Sequence, residues 1–239
     1  VAVYDEVVIG TVTTVSYGPR LAWISMLLVD PAFRRLGIGT RLMQVAIDSL
    51  PGWPTIGLDA TPAGKLLYER LGFCGQYGLV RMAVDCLPTL RCLPPGVRPV
   101  TDTDLSAMGE LDRAALGADR MSLLRELKNR AREAAWLSTR HGRVAGFCLG
   151  RHGSRFQQLG PIVAETLDEA IALCQVGLAA WHDQPVVVDV PVSQGTFLDW
   201  LRGLGFAVQR PFTRMVRGTP LPWTEAVGHT FAICGPEYG

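Results

Sequence analysis

Apolar residues along this chain fall into short runs, each with a strand's or a helix's period, broken by turn residues. Val1 to Tyr4 and Val7 to Ser16, parted by Asp5-Glu6, read as a hairpin. Ala22 to Val29 is a continuous apolar run of strand length that ends in the turn Asp30-Pro31. Beyond Gly37-Ile38-Gly39 the pattern predicts an amphipathic helix with Ile38, Leu42, Val45 and Ala46 on one side. Leu58-Asp59-Ala60 reads as a strand end. The next helix has Thr61 as its cap, Pro62 in its first turn and Leu67 and Leu71 one turn apart on its buried face, and it stops at Gly72.

A proline-rich stretch from Cys86 to Gly96 reads as a linker, and beyond it the pattern starts again. Val97 to Thr101 is a short strand, and Asp102 or Asp104 can cap the next helix. Helices are predicted over Leu105 to Leu116 and Met121 to Arg132. A hairpin turns at His141-Gly142, between Trp136 to Thr139 and Val144 to Leu149. Strand Phe156 to Val163, helix Leu167 to Trp181, strand Val186 to Val190 and helix Phe197 to Leu204 complete the set. Leu71-Gly72-Phe73 returns as Leu204-Gly205-Phe206, and Arg81-Met82 returns as Arg214-Met215 at the same offset. Asp59 at one strand end matches Asp189 at another. The order and spacing argue for a duplication, with domains at 1–88 and 97–239 and a linker at 89–96.

The chemistry concentrates in Val29 to Leu42. Gly37 and Gly39 leave the backbone without Cβ shielding, so several N–H groups can point at one anion. The helix that starts there adds unpaired N–H groups and its positive dipole end. Arg34 or Arg35 can add charge-assisted bonds to phosphate oxygens. This is a pyrophosphate cradle. It lacks the Gly-Lys-Ser/Thr ending of a Walker loop. It also lacks the third glycine of a dinucleotide fingerprint, since Leu42 stands at that place.

Arg34-x-x-Gly37-x-Gly39, after a strand ending in Val29-x-Pro31, resembles the coenzyme A loop of the GNAT superfamily of N-acetyltransferases, Gln/Arg-x-x-Gly-x-Gly/Ala. Leu67, Tyr68, Gly72 and Phe73 resemble that family's second motif, with Thr61 in place of an asparagine and Gly64 in place of an alanine. The resemblance spans essentially the whole chain and is similar to two-domain bacterial members, but only the first half carries specific motifs. It implies an α/β (α+β) fold: tandem GNAT units, each a mixed, mostly antiparallel twisted sheet flanked by helices. A family domain begins with a strand and two helices, so the first copy reads as lacking them. The second copy has neither Gly-x-Gly nor arginine after its strand. It carries Glu165, Asp168 and Glu169 there, and Leu201 at the place of Tyr68. It is therefore expected to bind no coenzyme.

The resemblance further implies acetyl transfer from acetyl-CoA to a primary amine, with the acceptor a small molecule bound between the domains. Alternatives are a protein lysine or N-terminal acetyltransferase and a silent acyl-CoA-binding module. The expected coenzyme contacts are the strand backbone at Leu27, Leu28 and Val29, the loop Arg34, Arg35, Leu36, Gly37, Ile38, Gly39 and Thr40, and Thr61 and Tyr68. Tyr68 is the candidate acid for the departing thiolate, or else a packed tyrosine that only touches the coenzyme. No base is evident. Trp23, Ser25 and Asp59 are the acceptor-side candidates, although Trp23 can equally fill the core and Asp59 can be structural. Glu237 could reach back if the tail Gly235 to Gly239 docks; otherwise the tail is a free end.

Composition narrows the rest. A net charge of +1 over 239 residues gives no electrostatic case for nucleic acid or an acidic membrane. The longest apolar run is far too short to span a bilayer, and no signal peptide is visible. Six cysteines without a CxxC read as reduced thiols in a cytoplasmic protein, and four isolated histidines lack metal spacing. No metal is expected, and nothing fixes an oligomeric state.

Overall fold

The structure is a computed structural model that describes residues 1–87, 93–221 and 227–239. Residues 88–92 of the expected linker lie outside the described set, as does the residue there at position 92 that completes the cysteine count. The first half of the chain runs β1 (Ala2–Tyr4), β2 (Val7–Tyr17), β3 (Leu21–Val29), α1 (Ile38–Asp48), β4 (Thr55–Ala60), α2 (Pro62–Arg70) and β5 (Cys74–Val84). The second half runs β6 (Val97–Pro99), α3 (Leu105–Leu116), α4 (Met121–Arg130), β7 (Trp136–Arg140), β8 (Arg143–Arg151), β9 (Gln157–Ala164), α5 (Leu167–Ala179), β10 (Val186–Pro191), α6 (Gly195–Gly203), β11 (Ala207–Gly218) and β12 (Thr230–Ala232). The hairpin β7–β8 turns on His141 and Gly142, with φ of 51° and 76°. A two-residue turn needs positive φ at both places to match the strands' twist.

The described chain divides into two units, and these do not follow the halves of the sequence. One comprises Val1–Gln76, Thr213–Pro220 and Pro236–Gly239; the other comprises Tyr77–Phe212 and Leu221–Gly235. The cause is an exchange of strands. In the first unit β4 pairs in parallel with β3 and antiparallel with Thr213–Gly218 of β11. In the second, β10 pairs in parallel with β9 and antiparallel with Leu79–Val84 of β5. Each half thus receives, at the same register, the strand that follows the last helix of the other half. Asp59 lies opposite Arg214, and Asp189 lies opposite Arg81.

Two buried ion pairs fix that register. Arg214 Nε and Nη2 donate to the two Asp59 oxygens at 2.9 Å each. Arg81 Nε and Nη2 donate to Asp189 at 2.7 Å each, and Gln158 Nε2 adds a third bond to Asp189 at 3.0 Å. A bidentate guanidinium–carboxylate pair demands one alignment of the strands, because a slip of one residue would bury both charges unpaired.

The first unit's core lies between one face of its sheet and its two helices. Ala22, Ile24, Ile56, Leu58 and Met215 meet Met43, Ala46 and Ile47 of α1 and the half-buried Leu67 and Leu71 of α2. The buried face of α1 is Leu42, Met43, Ala46 and Ile47, whereas Val45 is 50% exposed. The expected face that included Val45 is therefore rotated. The i, i+4 rows 42/46 and 43/47 pack on the sheet, which leaves Val45 outside. In the second unit, α5 and the strands β8, β9 and β10 enclose Leu173, Cys174, Cys148, Val186 and Val188. Cys148, Cys174 and Cys234 are buried, and Cys74 and Cys86 are exposed. Among the described residues no helix is long and apolar enough to cross a membrane.

Candidate functional site

A bulge in β3 opens the site. Thr11 pairs with Leu28 and Thr13 with Ser25, so β3 carries one residue more than β2 over the same span. The turn residue is Met26, held at φ 52°, and Thr11 Oγ1 donates to its carbonyl at 3.0 Å. A β-strand residue other than glycine rarely takes that conformation. Pairing of β3 with β4 runs only from Leu21 to Trp23. Beyond it the strands part, and a cleft of ≈ 910 Å³ opens against Leu27, Leu28 and Val29.

The far end of this cleft is the start of α1. Asp30 accepts from Ala32 N at 2.8 Å, and Arg34 Nε donates to Val29 O at 3.2 Å, which ties the loop to the end of β3. Gly37 caps the helix at φ 80°. A Cβ there would meet nothing within 4 Å, so what glycine supplies is the positive φ rather than room inside the protein. The N–H groups of Ile38, Gly39 and Thr40 have no intrahelical acceptor and face the cleft end with the helix dipole behind them. Arg34, Arg35 and Arg70 are on the same wall. Such a wall can hold a diphosphate.

α2 supplies Tyr68. Thr61 Oγ1 caps the helix by accepting from Gly64 N at 3.3 Å. At the other end Gly72, at φ 84°, lets Phe73 N bond to Tyr68 O at 3.0 Å. That reversal lays Phe73 against the Tyr68 ring, with centroids 6.2 Å apart in an edge contact. On its other side the ring covers Gly64, where a Cβ would stand 2.8 Å from ring carbon. This contact accounts for glycine at a position where the resembled motif has alanine. Burial pushes the Tyr68 phenol above its ordinary value. The group is therefore a protonated donor throughout the neutral range.

Of the residues expected at the coenzyme, all but Leu36 line this cleft; Leu36 is 69% exposed. Phe33, Ala63, Gly64, Leu67 and Arg70 line it as well. Gly64 and Leu67 stand in the second motif, whereas no sequence signal marks Phe33, Ala63 and Arg70, each of which looks like an ordinary loop or helix residue. Trp23, Ser25 and Asp59 are not on the cleft wall. Trp23 is fully buried, with the Arg214 guanidinium 4.8 Å above its ring and Gly57 beneath it. Asp59 is held by Arg214, which donates to both of its oxygens.

The second unit repeats the opening and then closes it with its own residues. β9 has a bulge where Cys148 pairs with Ile162 and Gly150 with Leu159, and β9 and β10 pair only as far as Leu159–Val188. β12 lies in the gap, with Thr230 opposite Val163 and Ala232 opposite Ile162. Ile233 N donates to Asp189 O at 2.9 Å, and Phe231, Ala232 and Ile233 are buried. The N-terminus of α5 is likewise taken. Glu169 accepts from Thr166 N at 3.1 Å in a capping box, and Arg140 pairs with Glu169 at 3.0 Å. Gly160, at φ 149°, makes the fit possible, since a Cβ there would stand 2.1 Å from Ile233 O. Gly160→Ala should therefore displace the 230–234 segment and cost about 1–3 kcal/mol. Urea unfolding of the variant measures this, and an unchanged midpoint would mean the segment is not seated there.

Comparison with known proteins agrees with this architecture. Residues 1–73 match the acetyltransferase (GNAT) family model, and residues 108–228, just over half of the chain, match an acetyltransferase (GNAT) domain model. The chain is similar to the uncharacterized N-acetyltransferase YitH of Bacillus subtilis, 28% identical over 188 residues, covering 78% of this chain and 66% of the relative. It is also similar to holothin acyltransferase of a Pseudoalteromonas species, 28% identical over 228 residues, covering 90% of this chain and 73% of that one. A crystal structure of a candidate acetyltransferase from Pyrococcus horikoshii shares the fold, with a TM-score of 0.81 at 23% identity over 98% of this chain and 78% of that one. With one open and one self-filled version of the same strand-bulge-helix design, and a family match on each half, the chain belongs to the GNAT acetyltransferase family as a tandem member.

Proposed function

We propose that the first unit transfers an acetyl group from acetyl-CoA to a primary amine, and that the second unit binds no coenzyme. The observation that carries this reading is the cleft between the Met26 bulge and the Gly37 helix start. It offers strand backbone at one end and unpaired amides with arginines at the other. In this reading Ile38, Gly39 and Thr40 N–H groups, with Arg35 and Arg34, hold the diphosphate. The freed backbone of Leu27 to Val29 pairs with the pantetheine amides. Tyr68, above Gly64, donates to the sulfur as it departs. The acyltransferase relative named for holothin favours a small-molecule acceptor over a protein one.

The second unit supports the single-site half of the reading. β12 makes, with Ile162 and Val163, the pairing that Leu27 and Leu28 leave open. Glu169 satisfies the helix start that the first unit leaves for an anion.

Gly37→Val tests the cradle. A β-branched residue at φ 80° is strained by roughly 1–2 kcal/mol, and the loop relieves that by turning its amides away. Acetyl-CoA affinity should fall by about tenfold or more, equal to about 1.4 kcal/mol. Calorimetric titration reads the change, and an unaltered dissociation constant would remove the cradle from the account.

A further inference from the structure

α2 lies along the cleft, and the order of residues on its face matters. The α2 residues on the cleft wall are Ala63, Gly64, Leu67, Tyr68 and Arg70. Ala63, Leu67 and Arg70 stand at i, i+4 and i+7, which is one stripe of a helix, and Gly64 and Tyr68 form the row beside it. The Tyr68 ring leans back over Gly64, where a Cβ would stand 3.3 Å from the hydroxyl oxygen. Helical side chains lean toward their own N-terminus, so the phenol reaches the level of Gly64, close to the Thr61 cap. Leu67 stands beside the start of α1. A Cβ on Gly39 would meet Leu67 Cδ2 at 3.9 Å and Val29 Cγ2 at 3.7 Å. Arg70 is three residues further on, about 4.5 Å along the helix axis.

From Thr61 outward, α2 thus presents the Tyr68 hydroxyl, then Leu67 beside the α1 start, then a guanidinium. Arg70 is exposed, and among the described residues it has no hydrogen bond or ion pair. The charges around it are engaged elsewhere. Glu69 pairs with Lys65 at 3.9 Å, Arg34 Nε donates to Val29 O, and Asp30 accepts from Ala32 N. Arg35 is also on the wall, but it comes from the loop before α1.

We propose that Arg70 binds a phosphomonoester on the nucleotide that follows the diphosphate, and so makes the first unit selective for coenzyme A over the same carrier without its 3′-phosphate. The assignment rests on the coenzyme reading of the cleft. An extended coenzyme with its thioester at the Tyr68 hydroxyl and its diphosphate at Ile38 to Thr40 carries its ribose onward in the same direction, past Leu67. The 3′-phosphate is the anionic group left to place at that end, and the planar fork of an arginine matches its oxygens. Arg34 and Arg35, from the loop that leads into the amides, stay with the diphosphate.

Calorimetric titration of the full chain with coenzyme A and with 3′-dephospho-coenzyme A, at one ionic strength, tests this. The variants are Arg70→Gln, Arg70→Lys and Arg35→Gln. Wild type should bind coenzyme A about fivefold tighter than the dephospho form, the scale of one exposed charge-assisted pair. Arg70→Gln should bring the two within about twofold, by weakening coenzyme A and sparing the dephospho form. Arg70→Lys keeps the charge without the fork and should keep part of the preference. Arg35→Gln should weaken both ligands alike and leave their ratio unchanged. Equal affinities in wild type overturn the assignment. So does an unchanged ratio in Arg70→Gln, since Arg70 is then only a cation that complements the end of α2. Equal weakening of both ligands by Arg70→Gln also overturns it, because Arg70 then belongs to the diphosphate. A wild-type chain that binds neither ligand overturns the coenzyme reading of the cleft as well.

Discussion

Tyr68→Phe should lower turnover by about 10²- to 10⁴-fold, the usual scale for a positioned proton donor. The substitution keeps the ring over Gly64 and against Phe73, so the packing that holds α2 survives. Acetyl-CoA affinity should hold, because the helix start and the strand backbone supply the binding. Burial raises the phenol's pKa above 10.0, so the donor form is present throughout the neutral range. Stated as a sign, a group that must be protonated loses function only as pH rises through its own pKa. Turnover should therefore show no alkaline limb from Tyr68 below pH 10.0. Steady-state kinetics with a competent acceptor decides. A loss under about threefold would make Tyr68 a packing residue and leave the thiolate to solvent.

Asp59→Ala should destabilise the first unit by about 3–5 kcal/mol. The side chains of Arg214 and Asp59 are 2% and 0% exposed, so removing the carboxylate takes both charge-assisted bonds of this pair from a buried guanidinium that lies against Trp23. The same change at Asp189 should do as much to the second unit, where Arg81 and Gln158 both lose their bonds to that carboxylate. Denaturant unfolding of the two variants measures it. If Asp59→Ala kept full stability and lost only turnover, Asp59 would be the base rather than a structural anion.

Local chemistry made part of this legible from sequence. The start of α1 was readable because Gly37 has a conformational reason to be where it is, and α2 was readable because Thr61, Pro62 and Gly72 mark both its ends. The Met26 bulge was not readable, since methionine in an apolar run gives no sign of positive φ; the partner strand's register creates it. The recurrence of Arg81 as Arg214, and of Asp59 as Asp189, was visible as repetition. That each arginine meets the carboxylate of the other half is a long-range pairing, which no local pattern encodes. β12 is three residues long and too short for a period, so its seat beside β9 was invisible. The tail expected to be a free end is docked, with Trp23 Nε1 donating to Pro236 O and Tyr17 Oη to Tyr238 O from more than two hundred residues away. Val45 was misplaced because the apolar residues of α1 span more than one face, and the sheet takes the 42/46 and 43/47 rows.

Calorimetric titration of the full chain with acetyl-CoA tests the account most directly. One open cleft and one filled by its own strand predict one molecule bound per chain, with the heat lost in Gly37→Val. Two molecules per chain, or binding that survives Gly37→Val unchanged, would contradict it.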